Sequence, residues 1–569
     1  MTLQLPLTVD MGAFVLTLDP SLYPDNVPDI GLNWLHCQYN PTSGSLFTSL
    51  HLDNDDLVDS ITKVHVADAN GMEIIDEASF DVEIIEENVQ VTYVTTRNNF
   101  NELVVHFHNY GNETYSIDQV DINTGFLLSS NEPIILHPSG HSTRVFDVSE
   151  LHLKEVDVWT VMMSINGKLI GYGGRLLKEL FPIEDWPKSD QCPYPVKGAN
   201  NENYELLKNE QSINTHYFKK TCDASEEDVF AAAVASEGDL YLLPSGKFYE
   251  EAGRIPDSAY PAIAALFLGD ESDSSDNATW DIWSRALIAQ NNYDNRYAVY
   301  DGGHSNHLNG RYAGVSDIQG MDFYVAGCAP YITNWLTTEI TLMGAFDYLY
   351  TARQNKKPLP TWLYSQGYCT DCWSVHQLHS GELVMQLASV LAAGGKGLML
   401  FQSDVRAKTL NPDSWYAGGR FLKSVSFVSD FLRVGDIEGA KYTVSGDNLV
   451  ITQVLVDPTS LMFLAISTDA SGYNSHTCFL TNRHWIFNEQ TISSIEIELP
   501  EDLTLLAARA NKSPSEYFNL VEVVEGAYIS NPGGVEMFID DSNQKIIIQD
   551  LKLGVTDDVA RMLMLLPLQ

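Results

Sequence analysis

Two adjacent carboxylates, Asp270 and Glu271, are the residues of this sequence best placed for acid–base chemistry. They follow Ala262–Leu268, an apolar run without alternation, which is typical of a strand buried on both faces. Two carboxylates are enough to hydrolyse a glycosidic bond, because one protonates the leaving oxygen while the other attacks or activates water. Helix capping is the competing interpretation, and it explains Asp273 better than either acid of the pair. We therefore predict Glu271 as a general acid.

Elements that could position this pair are found between about residues 192 and 435, where buried strands alternate with amphipathic helices. This pattern predicts an α/β barrel of the (β/α)8 TIM type, in which chemistry occurs at the carboxyl ends of the strands. A doubly wound open sheet is the alternative, but the sequence contains no GxGxxG or Walker motif to mark a nucleotide site. The eight predicted strands are Tyr194–Gly198, Ile213–Phe218, Asp239–Leu243, Ala262–Leu268, Tyr297–Tyr300, Asp317–Val325, Thr361–Ser365 and Gly397–Phe401.

On both sides of this region the pattern is β-type. Short alternating segments such as Val89–Thr96, Val158–Ile165 and Asn448–Leu455 are separated by turn residues, which is typical of antiparallel sandwiches. We therefore predict one or two N-terminal β-sandwiches over residues 1–187, the barrel over 188–436 and a C-terminal β-sandwich over 437–569.

Polar and aromatic residues follow most of the predicted strands, so they are expected to surround the mouth of the barrel. Amides, carboxylates and aromatic rings suit a sugar, whose hydroxyl groups need hydrogen-bond partners and whose apolar faces stack on rings. The predicted substrate-binding residues are His216, Tyr217, Asp301, His304, His307, Tyr324, Tyr364, Gln366, Gln402, Asp404, Trp335 and Trp373. Asp301, His304 and His307 could instead ligate a metal, but a loop that contacts sugar is preferred and no metal site is predicted.

Several of these stretches carry a family resemblance. Phe267–Asp273 (FLGDESD) is similar to the fourth-strand end of β-galactosidase-like (β/α)8 glycoside hydrolases, and Asp317–Tyr324 resembles their sixth-strand pattern. Pro360–Gln366, with Gly381 and Gly395–Phe401, looks like their seventh and eighth units. The resemblance covers roughly residues 190–410 and implies a barrel between β-domains that hydrolyses glycosides without a cofactor.

The sequence departs from this family at the second catalytic carboxylate. Retaining members have a glutamate nucleophile at the end of strand seven, where this chain has Gln366, and an amide cannot attack an anomeric carbon. Asp322, at the end of the sixth strand, is therefore the first candidate for nucleophile or base, and Asp404 is the second. A hydrogen bond that positions a loop explains Asp322 equally well.

Two other functions fit the same residues. LGDE is similar to the Asp-Glu pair of β-N-acetylhexosaminidases, in which the aspartate orients the substrate's own acetamido group as nucleophile, so Asp270 would be catalytic and Gln366 would present no difficulty. A non-catalytic carbohydrate-binding protein on a degenerate barrel would also lack a nucleophile. The Asp270–Glu271 pair argues against that third interpretation, because binding alone does not need it.

The charge of the chain restricts its partners. With 33 Lys and Arg against 76 Asp and Glu, the formal net charge is −43, which disfavours nucleic acids, anionic membranes and polyanionic glycans and leaves a neutral carbohydrate as the expected partner. No apolar run is long enough to cross a bilayer, and the first residues lack the features of a signal peptide. An extracellular location after processing is favoured over a cytoplasmic one. Cys369 and Cys372 form a lone CxxC, predicted to be ordinary loop cysteines or a local disulfide.

Overall fold

The computed structural model describes most of the chain from residue 88 onward, and isolated strands before it. The described residues are 2–6, 15–17, 32–34, 38–40, 45–52, 64–67, 74–78, 88–123, 127–187, 201–218, 225–269, 285–286, 288–294, 296–303, 316–322, 346, 349–350, 352–353, 357–367, 378–403, 405–438, 442–444, 450–471, 485–530 and 535–568.

The N-terminal part is β-structure. Its first strands are β1 (Thr2–Pro6), β2 (Val15–Thr17), β3 (Leu32–Trp34), β4 (Gln38–Asn40), β5 (Ser45–Leu52), β6 (Val64–Ala67) and β7 (Ile74–Ala78). Strands β1, β3 and β4 all pair with β5, and β6 lies between β2 and β7, in antiparallel order throughout.

Two further antiparallel sheets follow and share one apolar core. Their strands are β8 (Val89–Arg97), β9 (Glu102–Asn109), β10 (Tyr115–Asn123), β11 (Leu127–Ser130), β12 (Ile134–Leu136), β13 (His141–Asp147), β14 (Val158–Ile165) and β15 (Lys168–Arg175). The sheet β13-β9-β8 contributes Val91 and Phe107 to the core, and the sheet β11-β10-β14-β15 contributes Val120 and Trp159. Alternating apolar residues on each strand produce this arrangement, and it supports the predicted sandwich over residues 88–175.

The central part is the predicted barrel. Its eight parallel strands are β16 (Ile183–Pro187), β17 (Thr215–Phe218), β18 (Tyr241–Pro244), β19 (Leu266–Gly269), β20 (Val299–Gly303), β21 (Ile318–Asp322), β22 (Thr361–Gln366) and β23 (Leu398–Ser403). They pair in the order β18-β17-β16-β23-β22-β21-β20-β19. Parallel bridges from Leu242 to Ile263 and from Ser245 to Phe267 join the two ends of this order. The ring is therefore closed, which confirms the TIM-type fold and excludes the open sheet.

Seven predicted barrel strands overlap observed ones, and the first does not. Of the predicted Ala262–Leu268, only the part from Leu266 is strand, because a 3-10 helix over Asp257–Ala262 precedes it. The first strand is Ile183–Pro187, whereas the predicted Tyr194–Gly198 lies outside the described residues. Two carboxylates, Glu184 and Asp185, interrupt the apolar pattern of this short strand, so local hydrophobicity does not reveal it. The barrel thus begins before the boundary expected at residue 188, while the domain limits remain predictions.

The helices of the barrel are α1 (Asn201–Gln211), α2 (Glu226–Ala235), α3 (Lys247–Glu250), α4 (Ser380–Ala392), α5 (Ala407–Leu410), α6 (Pro412–Phe427) and α7 (Ser429–Val434). Sequence signals fix several of their ends: the Ser225 hydroxyl accepts a hydrogen bond from the Asp228 amide at 3.0 Å and caps α2, and Pro412 begins α6. The sequence pattern also predicts barrel helices at Trp280–Gln290 and Thr337–Arg353, but both ranges lie largely outside the described residues.

The lower end of the barrel, where the strands begin, is closed by the preceding sandwich. Val156 and Leu177 pack against the residues that fill the barrel interior. The Lys178 ammonium donates to the carbonyls of Tyr260, Pro261 and Ile263 at 3.3, 3.1 and 2.6 Å. The sandwich end of the chain therefore packs directly against the base of the barrel, although each part has its own apolar core.

The C-terminal part again has two antiparallel sheets. Its elements are β24 (Asp436–Ile437), β25 (Tyr442–Val444), β26 (Val450–Val456), β27 (Leu461–Ser467), β28 (Ala470–Ser471), β29 (Ile486–Phe487), β30 (Gln490–Glu498), α8 (Glu501–Arg509), α9 (Pro514–Tyr517), β31 (Phe518–Val524), β32 (Ala527–Ile529), β33 (Glu536–Asp540), β34 (Lys545–Leu553) and β35 (Ala560–Pro567). The sheets β24-β26-β27-β35-β31-β32 and β25-β30-β34-β33 share a core that includes Phe463, Leu563, Ile495 and Ile548. Within the part of the chain that the structure describes, no helix has the length and apolarity to cross a membrane.

Candidate active site

Strand alternation decides which side chains face the interior of the barrel. Tyr217 and Phe267 belong to a cluster that fills the interior, whereas their neighbours Phe218, Leu266 and Leu268 pack under the surrounding helices. Because successive side chains of a strand point to opposite faces, the same alternation sorts every described residue of the eight strands.

An aromatic column fills the barrel interior. Trp186 stacks on Tyr217 with 3.9 Å between ring centroids, Phe267 stacks on Tyr300 at 5.0 Å, and Tyr364 lies 6.2 Å from both Phe267 and Tyr300. Branched aliphatic residues usually fill such barrels. Rings give this interior a rigid apolar filling, so any substrate must remain at the mouth.

Tyr300 needs a glycine on the neighbouring strand. A Cβ atom at Gly320 would lie 2.1 Å from the Tyr300 hydroxyl oxygen, so the tyrosine occupies the space that a side chain there would take. The pairing of Tyr300 with Ile318 and of Gly302 with Gly320 fixes this register. The glycine therefore permits a large aromatic ring to extend towards strand β21.

The predicted catalytic residues belong to the carboxyl ends of strands β19 and β21. Asp270 and Glu271 follow Gly269, the last residue of β19, and lie outside the described residues. Asp322 is the last residue of β21 and pairs in register with Tyr364 of β22. The end of β19 agrees with the sequence analysis, whereas β21 is described only as far as Asp322, before the predicted end at Val325, and the catalytic roles remain predictions.

Most predicted substrate-binding residues on the loops fall outside the described part of the chain. These are His304, His307, Tyr324, Trp335, Trp373 and Asp404, as are Cys369 and Cys372. Gln402 is described only by its place on β23.

Three predicted binding residues lie on the interior side of their strands. Tyr217 and Tyr364 belong to the aromatic column, and both are almost completely buried. Gln366 is the last residue of β22 and has the same strand parity as Tyr364. The Gln386 amide of α4 donates to the Gln366 carbonyl at 3.2 Å, which holds the end of strand β22 against the helix.

Two predicted binding residues lie on the helix side instead. His216 places its Nδ1 atom 3.6 Å from an Asp185 oxygen, and its ring lies 6.2 Å from that of Tyr204 on α1. Asp301 is fully buried beside Val299, and its carbonyl accepts a hydrogen bond from the Gln319 amide at 3.3 Å. Alternation turns both side chains away from the interior, an orientation that the sequence analysis did not foresee, and their contact with a substrate remains a prediction.

Sequence analysis missed two aromatic residues at the mouth. Trp186 ends the interior face of β16, and Phe401 pairs with it in register on β23. Both are partly exposed, whereas the rings below them are buried. Trp186 could have been recognised from its place just before Pro187 at the end of a short strand. The sequence pattern instead predicts the first barrel strand at Tyr194–Gly198, so Trp186 is not placed at the mouth.

One group of histidines and a carboxylate among the described residues has metal-like spacing: His106, His141 and Asp436 lie buried between the sandwich and the barrel. Their ligand atoms are already engaged. The Asp436 oxygens accept hydrogen bonds from Arg353 and, at 2.5 Å, from Thr92. These bonds fit an internal polar junction better than a metal site.

Hydrogen bonding assigns the protonation of His106. Its Nε2 atom lies 2.8 Å from the Val434 carbonyl, so Nε2 carries the proton and Nδ1 accepts from the Thr143 hydroxyl at 3.1 Å. Burial lowers the pKa of His106 to about 4. The ring is therefore neutral at pH 7.

Charges around His106 set the ionisation of this junction. Burial opposes ionisation of Asp436, but the positive charges of Arg353 and the neighbouring basic groups together outweigh it and hold the pKa of that carboxyl below its ordinary value. Burial lowers the pKa of Lys396 to about 7. Its ammonium lies 4.3 Å from the centroid of the Tyr93 ring and donates to the Leu432 carbonyl at 3.2 Å. These contacts link the sandwich to the segment that enters the C-terminal sheets.

Comparison with known proteins gives no family assignment. No family model and no curated protein matches the chain. A Paenibacillus sp. cycloisomaltooligosaccharide glucanotransferase structure matches with a TM-score of 0.41 and 8% identity, over 84% of this chain and 99% of that one. A GH30 endoxylanase from Clostridium papyrosolvens C71 has a TM-score of 0.37 and 9% identity, over 69% and 97%. A Bacteroides uniformis β-glucuronidase has a TM-score of 0.28 and 10% identity, over 84% and 80%. The fold of this chain is therefore assigned from its own strand pairing.

Proposed function

We propose that this chain is a glycoside hydrolase that cleaves a neutral oligo- or polysaccharide, with Glu271 as general acid. The observation that carries the proposal is the end of strand β19. The strand belongs to a closed ring of eight parallel strands and ends at Gly269, directly before Asp270 and Glu271 in the chain. In barrels of this type the chemistry belongs to that end of the strands.

Filling of the barrel interior supports this proposal. An aromatic column closes the space beneath the mouth, and Trp186 and Phe401 form its partly exposed upper layer. Aromatic surfaces suit the apolar face of a sugar ring, and the polar strand ends suit its hydroxyl groups. Asp322, the last residue of β21, is our candidate for the second carboxylate.

A substrate-assisted hydrolase specific for 2-acetamido sugars is the second candidate. It is favoured by Gln366, because strand β22 ends on this amide and not on a carboxylate. In that mechanism the acetamido group of the substrate attacks the anomeric carbon, Asp270 orients it, and Glu271 again protonates the leaving oxygen.

Replacement of Glu271 by Gln tests the proposal. General acid catalysis is typically worth about 10²–10⁴ in rate, so Glu271→Gln should reduce kcat by about that factor on unactivated glycosides. Aryl glycosides with good leaving groups need little protonation and should be affected least. Kinetics on both substrate classes, with circular dichroism to verify folding, measure this effect.

A matched control is Glu250→Gln, since Glu250 lies at the end of helix α3 and is exposed. It should retain wild-type kinetics. Full activity of Glu271→Gln on an unactivated glycoside would falsify the assignment of the acid, and no turnover of any glycoside by the wild-type protein would refute the proposed function.

A further inference from the structure

The top of the aromatic column is a preformed surface. Trp186 and Phe401 pair in register on neighbouring strands, and their ring centroids lie 5.5 Å apart with the planes near perpendicular. Both are partly exposed, while Phe267, Tyr300 and Tyr364 beneath them are buried. The exposed part of the column therefore consists of these two rings.

Packing holds the indole of Trp186 in one orientation. One of its faces stacks on Tyr217, with an interplanar angle of 22°. Its ring also meets Tyr364 and Phe267 in near-perpendicular contacts at 5.8 and 6.2 Å. A side chain fixed in this way loses little conformational entropy when a ligand binds, so its exposed surface is preorganised for a flat apolar partner.

We propose that Trp186, with Phe401 beside it, is the surface on which one pyranose ring of the substrate stacks. This inference rests on the proposed glycoside hydrolase function and names a substrate-binding residue of the same mouth. A pyranose has C–H bonds on a face and hydroxyl groups around its rim. The face would contact the indole, and the rim would face the polar ends of the neighbouring strands.

This geometry also predicts a preference among ligands. Stacking depends on an uninterrupted patch of C–H groups, so sugars with all-equatorial hydroxyl groups should bind better than sugars with an axial hydroxyl on the stacked face. An anionic group on the sugar adds nothing to this contact, because the faces of the Trp186 and Phe401 rings are electron-rich. The site is therefore selective for shape.

The test compares Trp186→Phe and Trp186→Ala with Trp362→Phe. Trp362 belongs to the same interior cluster but is buried below the mouth, so its variant reports the effect of disturbed packing alone. Each variant is assayed for kcat and KM on the best glycoside of a defined panel, for inhibition by the monosaccharide product, and for thermal unfolding.

Loss of an aromatic contact is worth about tenfold in affinity or less. We therefore expect Trp186→Phe to raise KM and the product inhibition constant about three- to tenfold, with kcat nearly unchanged, and Trp186→Ala to raise them further. Trp362→Phe should change the melting temperature but not KM. Binding of an uncleaved oligosaccharide to Glu271→Gln, with and without Trp186→Phe, separates affinity from turnover.

The outcomes distinguish this inference from the function on which it rests. If the wild type hydrolyses glycosides and Trp186→Phe keeps the wild-type KM and product inhibition, Trp186 is not the stacking residue and the hydrolase stands. An equal rise in KM for Trp362→Phe would likewise refute it, because packing would then explain the effect. If the wild type neither binds nor hydrolyses any glycoside of the panel, both proposals fail.

Discussion

Single residues decide between the two hydrolytic mechanisms proposed for this mouth. Asp322→Asn should abolish turnover if Asp322 is the nucleophile or base, because an amide can neither attack nor deprotonate water. In the substrate-assisted mechanism the severe defect moves to Asp270→Asn, and substrates without a 2-acetamido group should not be cleaved. Kinetics of the two variants on paired glucosides and 2-acetamido glucosides measure the difference.

Two results would contradict the candidates at this scale. Comparable activity of Asp322→Asn and the wild type on a glucoside would remove Asp322 from the mechanism. The substrate-assisted mechanism would be excluded if the wild type cleaved both sugars equally well and Asp270→Asn kept its activity. Glu250→Gln remains the matched control for a neutralised acid on the surface.

At the residue scale, the sequence predicted where strands end, but it did not predict for every residue which face of the strand its side chain occupies. The ends at Gly269 and Gln366 were predictable to within one residue, because apolar strands stop where polar residues begin. The helix-side placement of His216 was not predictable from the sequence. A polar residue in a buried strand can satisfy its hydrogen bonds on either face, and its partner Asp185 comes from another strand.

Whole elements followed from periodicity when their sequence was apolar, as in strands β17 to β23. Strand β16 did not, because two of its five residues are carboxylates that the fold buries. Burial of such groups depends on tertiary partners, which local patterns do not contain. The segment Tyr194–Gly198, which follows β16 and contains Pro and Gly, has a strand-like pattern at the place where the first strand is expected. The predicted start of the barrel at residue 188 is therefore too late.

At the scale of packed elements, the histidines of strand β9 should make stability depend on pH. Burial lowers the pKa of His106 to about 4 and that of His108 to about 3, below the ordinary 6.5. The unfolded chain therefore binds more protons than the folded one below pH 6.5. Stability present above this pH is lost as the pH falls towards 4, at up to about 1.4 kcal/mol per pH unit for each histidine.

The measurement is urea unfolding at pH 7 and pH 5 for the wild type, His106→Gln and His137→Gln. His106→Gln keeps a polar group but cannot take up a proton, so its stability should fall less between the two pH values. His137 is exposed, and its variant should follow the wild type. Since the 76 acidic residues also titrate, the test compares the change in unfolding free energy between pH 7 and pH 5 among the three proteins. Parallel curves for all three proteins would refute the role of His106.

The charge of the whole molecule predicts its choice of substrate. A formal charge of −43 repels anionic polymers over about 30 Å at 10 mM salt and about 10 Å at 100 mM. Two basic residues of the described barrel are already paired with acids, Arg254 with Glu226 at 2.6 Å and Arg296 with Asp257 at 2.7 Å. Activity on a neutral polysaccharide should therefore change little with salt.

Comparison of a neutral polysaccharide with its carboxymethylated form at both salt concentrations tests this expectation. The carboxymethylated form should be the poorer substrate at 10 mM salt and should improve at 100 mM, while the neutral form serves as the control. Preference for the anionic form at low salt would contradict the prediction and would indicate a basic cleft near the mouth.

The closure of the barrel base by Val156 and Leu177 has a consequence for the modularity of the chain. A catalytic domain that began at its first strand would lack Val156 and Leu177, so the lower end of the aromatic column would be open to water. The sandwich also approaches the barrel closely at Gly174, where a Cβ would lie only 2.7 Å from the Trp159 ring and 3.2 Å from Leu359. The sandwich over residues 88–175 is thus not an independent module that domain recombination could exchange freely. Recombination, whether natural or engineered, would have to transfer the sandwich together with the barrel as a single unit.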